Sequence, residues 1–362
     1  MLYFLLVVLL VVAGVYIFLQ QPQFGKAPSG ERLSRISRSV NYRDGAFQNL
    51  SPTPTLTKGY SYPKVLYAFF FKKSKEQKPT HALPSIKTNL KELAADEEVL
   101  VWFGHSSYFL RVQGVSFLID PVFSGRVSPL PGGSQAFLGT DIYGVEDMPP
   151  IDYLVLSHDH YDHLDHETVS RLKPKVSEVI CGLGVGAHLE RWGYAPQTIH
   201  EKDWDEQMDL KQGLKIYTHP ARHFSGRTFK RNNTLWLSYL LQTPNKKIFL
   251  GGDSGYDTHF KKIGEQHGTI DFAILENGQY NEAWHAIHCL PPETVKAAQD
   301  LHAKRMMPVH SSKFTLALHA WYAPLTEVSM HAAGKLPLVT PRIGEPVWLD
   351  DEGQTFMPWW AE

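Results

Sequence analysis

Between Ile151 and His166 the chain reads IDYLVLSHDHYDHLDH, an apolar strand-like run that ends in four histidines and three aspartates within ten residues. A strand that delivers such a loop at its carboxyl end constrains the fold, because α/β architectures gather ligand-binding groups at that edge of the sheet. His158 and His160 are two residues apart, so in extended backbone both imidazoles emerge on one side and can share a metal ion. Asp162 and His163 follow at once, a carboxylate and an imidazole that a turn can aim at a second ion. Four ligands in one loop cannot close two metal sites, so other strand ends must supply the rest. His223 in HPARHFSGR, Asp253 in FLGGDSGY and His310 in MMPVHSS each follow an apolar, strand-like run. The glycines before Asp253 let backbone approach closely.

The second half of the chain echoes the first. SYFLRVQGVSFLID precedes IDYLVLSHDH at 151–160, and LWLSYLLQTPNKKIFLGGD precedes IDFAILENGQ at 270–279. Each half thus reads as hairpin, strand, then helix, with Asp120 and Asp253 at matching hairpin ends. EVLVWFG, SYFLRV and VSFLIDPVF are strands, and ETVSRLKPK is a helix. Two such units with their sheets face to face and helices outside predict a four-layer αβ/βα sandwich. This domain is expected over residues 90–362.

The N-terminus is different. Leu2 to Leu19 is uncharged and mostly apolar, close to the length that crosses a hydrocarbon core, and is expected to be a transmembrane anchor. A cleaved secretory signal is the rival, but no Lys or Arg precedes the run and no A-x-A-like site follows it. Lys26, Arg32, Arg35 and Arg38 just after it favour a single-pass protein with a cytoplasmic domain. Residues 20–89 read as a linker and docking segment, rich in Pro, Gly, Ser and Gln without sustained hydrophobic period. Within it VLYAFFFKK suits either burial against the domain or contact with lipid.

Composition narrows the remaining classes. With 36 Lys and Arg against 37 Asp and Glu, no bulk basicity points to nucleic acid, and none is expected as a partner. Cys181 and Cys289 are too few for a disulfide scaffold. Oligomeric state is not legible.

VWFGHSSYFL, FLIDPVFS, SHDHYDHLD, PARHFSGRT, GGDSGY and LPPETVKAAQDLHAKRMMPVHSSKFTLA together resemble the metallo-β-lactamase fold hydrolases, within them the N-acyl-phosphatidylethanolamine-hydrolysing phospholipase D-like group. The resemblance spans roughly residues 85 to 330. It implies that His158, His160 and His223 hold one zinc, Asp162, His163 and His310 the other, and that Asp253 bridges them. It also implies a phosphodiesterase whose metal pair acidifies a bridging water, with Asp162 able to shuttle its proton and His288 meeting substrate or supporting a ligand. A small-molecule or phospholipid substrate is expected. Iron or manganese would suit the same histidine and carboxylate ligands. Where that group often has HWGTF this chain has HSSKF, a departure the resemblance places in the pocket lining.

Other readings stay open beside this one. The same metal pair would serve a lactone or amide hydrolase, and a non-enzymatic, metal-stabilised membrane module is a further class. His105 suits either an active-site role or a structural hydrogen bond, and Asp120 either orients a ligand or fixes its turn. His166 is expected to face solvent and His219 to flank the pocket. Ser157 lacks a G-x-S-x-G elbow, which argues against a serine hydrolase. GLGVGAH reads as a loop, and Trp359 and Trp360 as a cap on the domain surface or a membrane contact.

Overall fold

The computed structural model describes residues 1–72, 74–130 and 132–361, with the backbone alone at Leu2. Helix α1 (Leu2–Leu19) forms over the expected bounds, apolar on every side, and leaves Phe4, Leu9, Leu10 and Ile17 exposed. Among the described residues, however, no helix is long and apolar enough to cross a membrane. At 1.5 Å per residue α1 reaches about 27 Å, short of a hydrocarbon core of roughly 30 Å.

Residues 20–89 are more than a tether. They contain α2 (Gly30–Ile36), the short pair β1 (Tyr42–Arg43) and β2 (Ala46–Phe47), and α3 (Tyr62–Phe71). Ile36, Phe47 and Leu83 are buried in the largest core cluster, and Phe24 is buried as well. These anchors lie too far apart in sequence to make a hydrophobic period, which is why the segment reads as linker. Arg32 pairs with Glu190 and Glu201, and Arg35 donates to the Glu201 carbonyl. Two of the four charges that favoured a cytoplasmic flank are therefore engaged by the domain itself.

Alternation explains the layers. One sheet has the order β15 (Pro346–Trp348), β3 (Val99–Trp102), β4 (Tyr108–Val112), β5 (Val115–Ile119), β6 (Ile151–Val155), β7 (Val176–Gly182), β8 (Ile199–Lys202). The other runs β14 (Met306–Val309), β13 (Phe272–Glu276), β12 (Lys247–Leu250), β11 (Ser238–Gln242), β10 (Lys215–His219), β9 (Gln207–Asp209). Neighbouring side chains on a strand face opposite sides. Phe117, Ile119, Tyr153 and Val155 of the first sheet accordingly meet Ile248, Leu250, Phe272 and Ile274 of the second in one inner core. Their neighbours Leu118, Leu154, Phe249 and Leu275 point outward and are also buried.

Sheets apolar on both faces need helices on both outer sides. On the first sheet α4 (His166–Leu172) and α5 (Gly186–Arg191) supply Val169, Leu172 and Leu189. On the second, α6 (His259–His267), α7 (Pro291–Asp300) and α8 (Ala323–Ala332) supply Phe260, Ile263, Val295 and Val328. The result is the expected four-layer sandwich. The internal echo is visible in the pairing. β4 and β5 form an antiparallel hairpin with β6 parallel to β5, and β11 and β12 form another with β13 parallel to β12.

Candidate metal centre

The carboxyl ends of β5, β6, β10, β12, β13 and β14 converge at one edge of the sandwich, and the polar residues that follow them meet there. Three imidazoles come first. His158 Nε2 lies 2.9 Å from His160 Nδ1, which lies 3.2 Å from His223 Nε2. Nitrogens around one tetrahedral zinc stand about 3.3 Å apart, given Zn–N distances near 2.0–2.1 Å. A second group, His105, Asp162, His163 and His310, has ligand-type atoms all within 4.8 Å of one another. Asp253 stands between the two groups. Its Oδ2 is 3.2 Å from His163 Nε2, 3.7 Å from His223 Nε2 and 3.8 Å from His158 Nε2, and its Oδ1 is 3.1 Å from His310 Nδ1.

Surrounding groups fix which ring atom faces inward. His163 Nδ1 donates to Asp120 Oδ2 at 2.8 Å, leaving Nε2 for the cluster. Asp120 is itself held by Ser157, whose backbone N–H donates to Oδ1 at 2.8 Å and whose hydroxyl donates to Oδ2 at 2.5 Å. His223 Nδ1 donates to the Ile287 carbonyl at 2.9 Å, which turns its Nε2 towards His160. His105 Nε2 holds Asp162 Oδ2 at 2.9 Å. Both His105 and His310 adopt left-handed backbone, φ 53° and 67°, where their two loops pair through an isolated bridge from His105 to Ser311. Such strain at a non-glycine residue needs surroundings that over-determine it.

The donor chemistry fits a metal. His163 Nε2 and Asp253 Oδ1 are buried and make no hydrogen bond, an arrangement that costs free energy in a folded interior unless another partner is bound. Burial, foremost, holds His158, His223 and His310 well below the ordinary imidazole value. Burial alone would raise Asp162 and Asp253, yet the imidazoles around them, His163 first, hold both well below the carboxylate range. Neutral imidazoles beside ionised carboxylates are the protonation states that ligate metal. His163 goes the other way: burial pulls it down, but the Asp253 and Asp162 carboxylates outweigh burial.

The structure thus brings together His158, His160, Asp162, His163, His223, Asp253 and His310, and sets His288 beside them. The His288 ring centroid is 5.0 Å from that of His223 and 5.2 Å from that of His310. His219 lies elsewhere: its Nε2 is 2.9 Å from His267 Nε2, at the far end of α6. His166 opens α4 and packs edge-on to Trp192. Lys313 of HSSKF is fully buried rather than pocket-facing, and donates to the Val122 carbonyl and to Asp141. Trp359 and Trp360 are buried in the inner core cluster.

One residue at the site escapes a motif-based reading. Glu276 Oε2 lies 2.8 Å from His288 Nδ1, and with His288 and His310 it forms another group able to hold an ion. Burial pushes its carboxyl up to about 7. The internal echo carried the signal, since Glu276 ends the strand that corresponds to the one feeding the His158 loop.

Residues 116–311 match the beta-lactamase superfamily domain. An uncharacterized protein of Mycobacterium tuberculosis is 36% identical over 89% of this chain and 88% of its own length. The N-acyl-phosphatidylethanolamine-hydrolyzing phospholipase D 1 of Caenorhabditis elegans is 30% identical over 61% of this chain and 65% of its own length. Among solved structures, the metallo hydrolase Igni18 of Ignicoccus hospitalis superposes with a TM-score of 0.53 at 21% identity, covering 69% of this chain and 97% of that one. Fold, strand-end cluster and sequence similarity agree: the chain belongs to the beta-lactamase superfamily and is a metal-dependent hydrolase.

Proposed function

We propose that this chain is a dinuclear phosphodiesterase acting on a phospholipid-type substrate at a membrane surface. The observation that carries the two-metal reading is Asp253, with one carboxylate oxygen towards His310 and the other towards His163, His223 and His158. On this reading His158, His160 and His223 hold one ion, Asp162, His163 and His310 the other, and Asp253 both. Bound zinc, or iron or manganese with the same ligands, would supply Lewis acidity and water acidified to near neutral pH.

The chain's own residues do the rest. Asp162 is the most open carboxylate of the cluster, its side chain 14% exposed; His105 holds its Oδ2, which fixes the carboxylate and leaves Oδ1 to face the ion and the water whose proton it would receive. His288 has Nδ1 held by Glu276, which leaves Nε2 to donate to a phosphoryl or leaving oxygen. The buried histidines keep bulk water away from the reacting atoms, where fixed dipoles act more strongly.

Two observations support a lipid-like phosphodiester. One is the similarity to the worm phospholipase D. The other is the exposed apolar surface of the N-terminal helices: α1 on every side, and Tyr62, Leu66, Tyr67, Phe70 and Phe71 on α3, with Lys64 and Lys72 exposed beside them. On this reading α1 anchors the protein to a membrane and α3 rests on it, which raises the local concentration of lipid substrate.

The test is elemental analysis of the purified protein, with turnover of bis-p-nitrophenyl phosphate, N-acyl-phosphatidylethanolamine vesicles and a lactone series before and after chelation. Two metal ions per chain and phosphodiester turnover that metal restores are expected. Turnover confined to lactones would overturn the phosphodiesterase reading.

A further inference from the structure

The ligand loop has two residues that point away from the cluster, Asp159 and Tyr161, and both are held from behind. Asp159 Oδ1 accepts the Gly226 N–H at 2.7 Å, and its Oδ2 accepts the Thr234 hydroxyl at 2.9 Å and lies 3.3 Å from His188 Nε2. Arg227 is buried and bridges three segments. Its Nη1 donates to the Asp159 and Leu164 carbonyls, both at 2.7 Å, so one guanidinium nitrogen grips the loop at either end of His160, Asp162 and His163. Its Nε and Nη2 donate to the Gln23 carbonyl at 3.0 and 2.7 Å. Tyr161 lies under the guanidinium, 4.1 Å from ring centre to Cζ, and returns its hydroxyl proton to the Arg227 carbonyl at 2.6 Å. Arg227 also belongs to the loop that supplies His223, so it connects two sources of ligands.

The third segment is the stretch just after α1. Besides Gln23, Phe24 is buried edge-on against Tyr161. The Lys26 N–H donates to His188 Nδ1 at 2.9 Å, and the Pro22 carbonyl accepts the Trp192 indole N–H at 2.8 Å. Gly25 has φ +69°, and a Cβ there would stand 2.0 Å from His188 Nδ1. The strap therefore fits in one register.

We infer that Arg227 is a positioning residue for the metal centre and that residues 20–26 form a strap bracing it, so the grip of the centre on its metal depends on the segment that leads out of α1. The inference rests on reading the strand-end cluster as a metal centre. A planar fork fixed to three carbonyls holds a loop in a way that a flexible ammonium does not, so Arg227→Lys keeps the charge and loses the geometry. Phe24→Ala loosens the strap without touching Arg227 or any ligand.

Zinc affinity by chelator competition, the absorption spectrum of the cobalt-loaded protein and the melting temperature of the metal-free protein are measured on the full chain for wild type and both variants. Zinc affinity at least tenfold weaker for Arg227→Lys and several-fold weaker for Phe24→Ala is expected, with altered cobalt bands in both. Unchanged affinity and bands in both variants, whatever their melting temperatures, would show that the contacts are structural only and overturn the inference. If Arg227→Lys does not fold, Phe24→Ala decides alone. A wild-type protein that binds no metal removes the underlying reading, an outcome distinct from variants that bind it as wild type does.

Discussion

Glu276 holds two neighbours at once: its Oε2 lies 2.8 Å from His288 Nδ1, and its Oε1 accepts the Cys289 backbone N–H at 2.5 Å. The pair gives the His288 ring one orientation above the cluster. Glu276→Gln keeps the volume but weakens that hold. Losing such an orienting partner costs roughly 10–100-fold in activity, so kcat is expected to fall by about that factor with metal content unchanged. Steady-state kinetics with elemental analysis checks this. An unchanged kcat would show that His288 does not depend on the Glu276 carboxylate, and lost metal would make the pair ligands instead.

Asp120 acts on the other side of the site. Its Oδ2 accepts the hydrogen bond that His163 Nδ1 donates, and it is braced by Ser157. In Asp120→Ala the ring is free to turn, and Ser157 and His163 are left with unmatched polar atoms. Affinity for one of two ions is expected to weaken by roughly 10–100-fold, seen as one weakened step in a chelator titration. Equal weakening of both steps would show that Asp120 supports the whole edge rather than one ligand.

How far the sequence reveals this site follows from what each residue needs. His158, His160, Asp162 and His163 are adjacent in a short loop, so spacing alone exposes them. His223, Asp253 and His310 are legible because each ends an apolar run, and the fold brings strand ends together. The four layers follow from the repeated hairpin and strand, whose alternation survives in Phe117, Leu118 and Ile119. Glu276 is hidden because a glutamate ending a strand is common and its partner is twelve residues away. Arg227 and Gln23 are hidden more deeply. Their contacts run through backbone carbonyls, which leave no trace in residue type, across 204 positions of chain. Membrane crossing by α1 is the opposite case, an expectation drawn from an uncharged, apolar run of nearly spanning length, whereas among the described residues no helix is long and apolar enough to cross.

Lys313 tests what the HSSKF segment is for. Its ammonium is buried and donates to the Val122 carbonyl at 3.1 Å, with Asp141 at 3.2 Å. Burial lowers its pKa, with Asp141 opposing. Lys313→Met fills the same space but strands the carbonyl and the carboxylate. Breaking a fully buried pair costs roughly 3–5 kcal/mol, but the Asp141 side chain is 35% exposed and water can replace its partner. A loss of about 1–2 kcal/mol is therefore expected, measured by urea unfolding. Kinetics on phosphodiester and lactone substrates should keep the wild-type preference. A switched preference would return Lys313 to the pocket lining.

A buried histidine outside the metal centre supplies the pH test. His259 is 3% exposed on α6, with Nε2 3.2 Å from Ser254 Oγ, and burial foremost lowers its pKa to about 3. A folded value below the unfolded one means the unfolded chain takes up a proton that the folded chain refuses. Above pH 6.5 the ring is neutral in both states and contributes no pH dependence. As pH falls from 6.5 towards 3, stability is lost, by about 2 kcal/mol at pH 5 and up to about 5 kcal/mol at the lower limit. The comparison is metal-free wild type against metal-free His259→Gln, unfolded in urea at pH 7 and pH 5. The packing cost of glutamine is the same at both values, and the ligand histidines titrate in both proteins, so both effects cancel in the difference. Wild type is expected to lose about 2 kcal/mol more than the variant between pH 7 and pH 5. Equal losses would mean that the His259 ring reaches water in the folded protein and titrates there as it does in the unfolded chain.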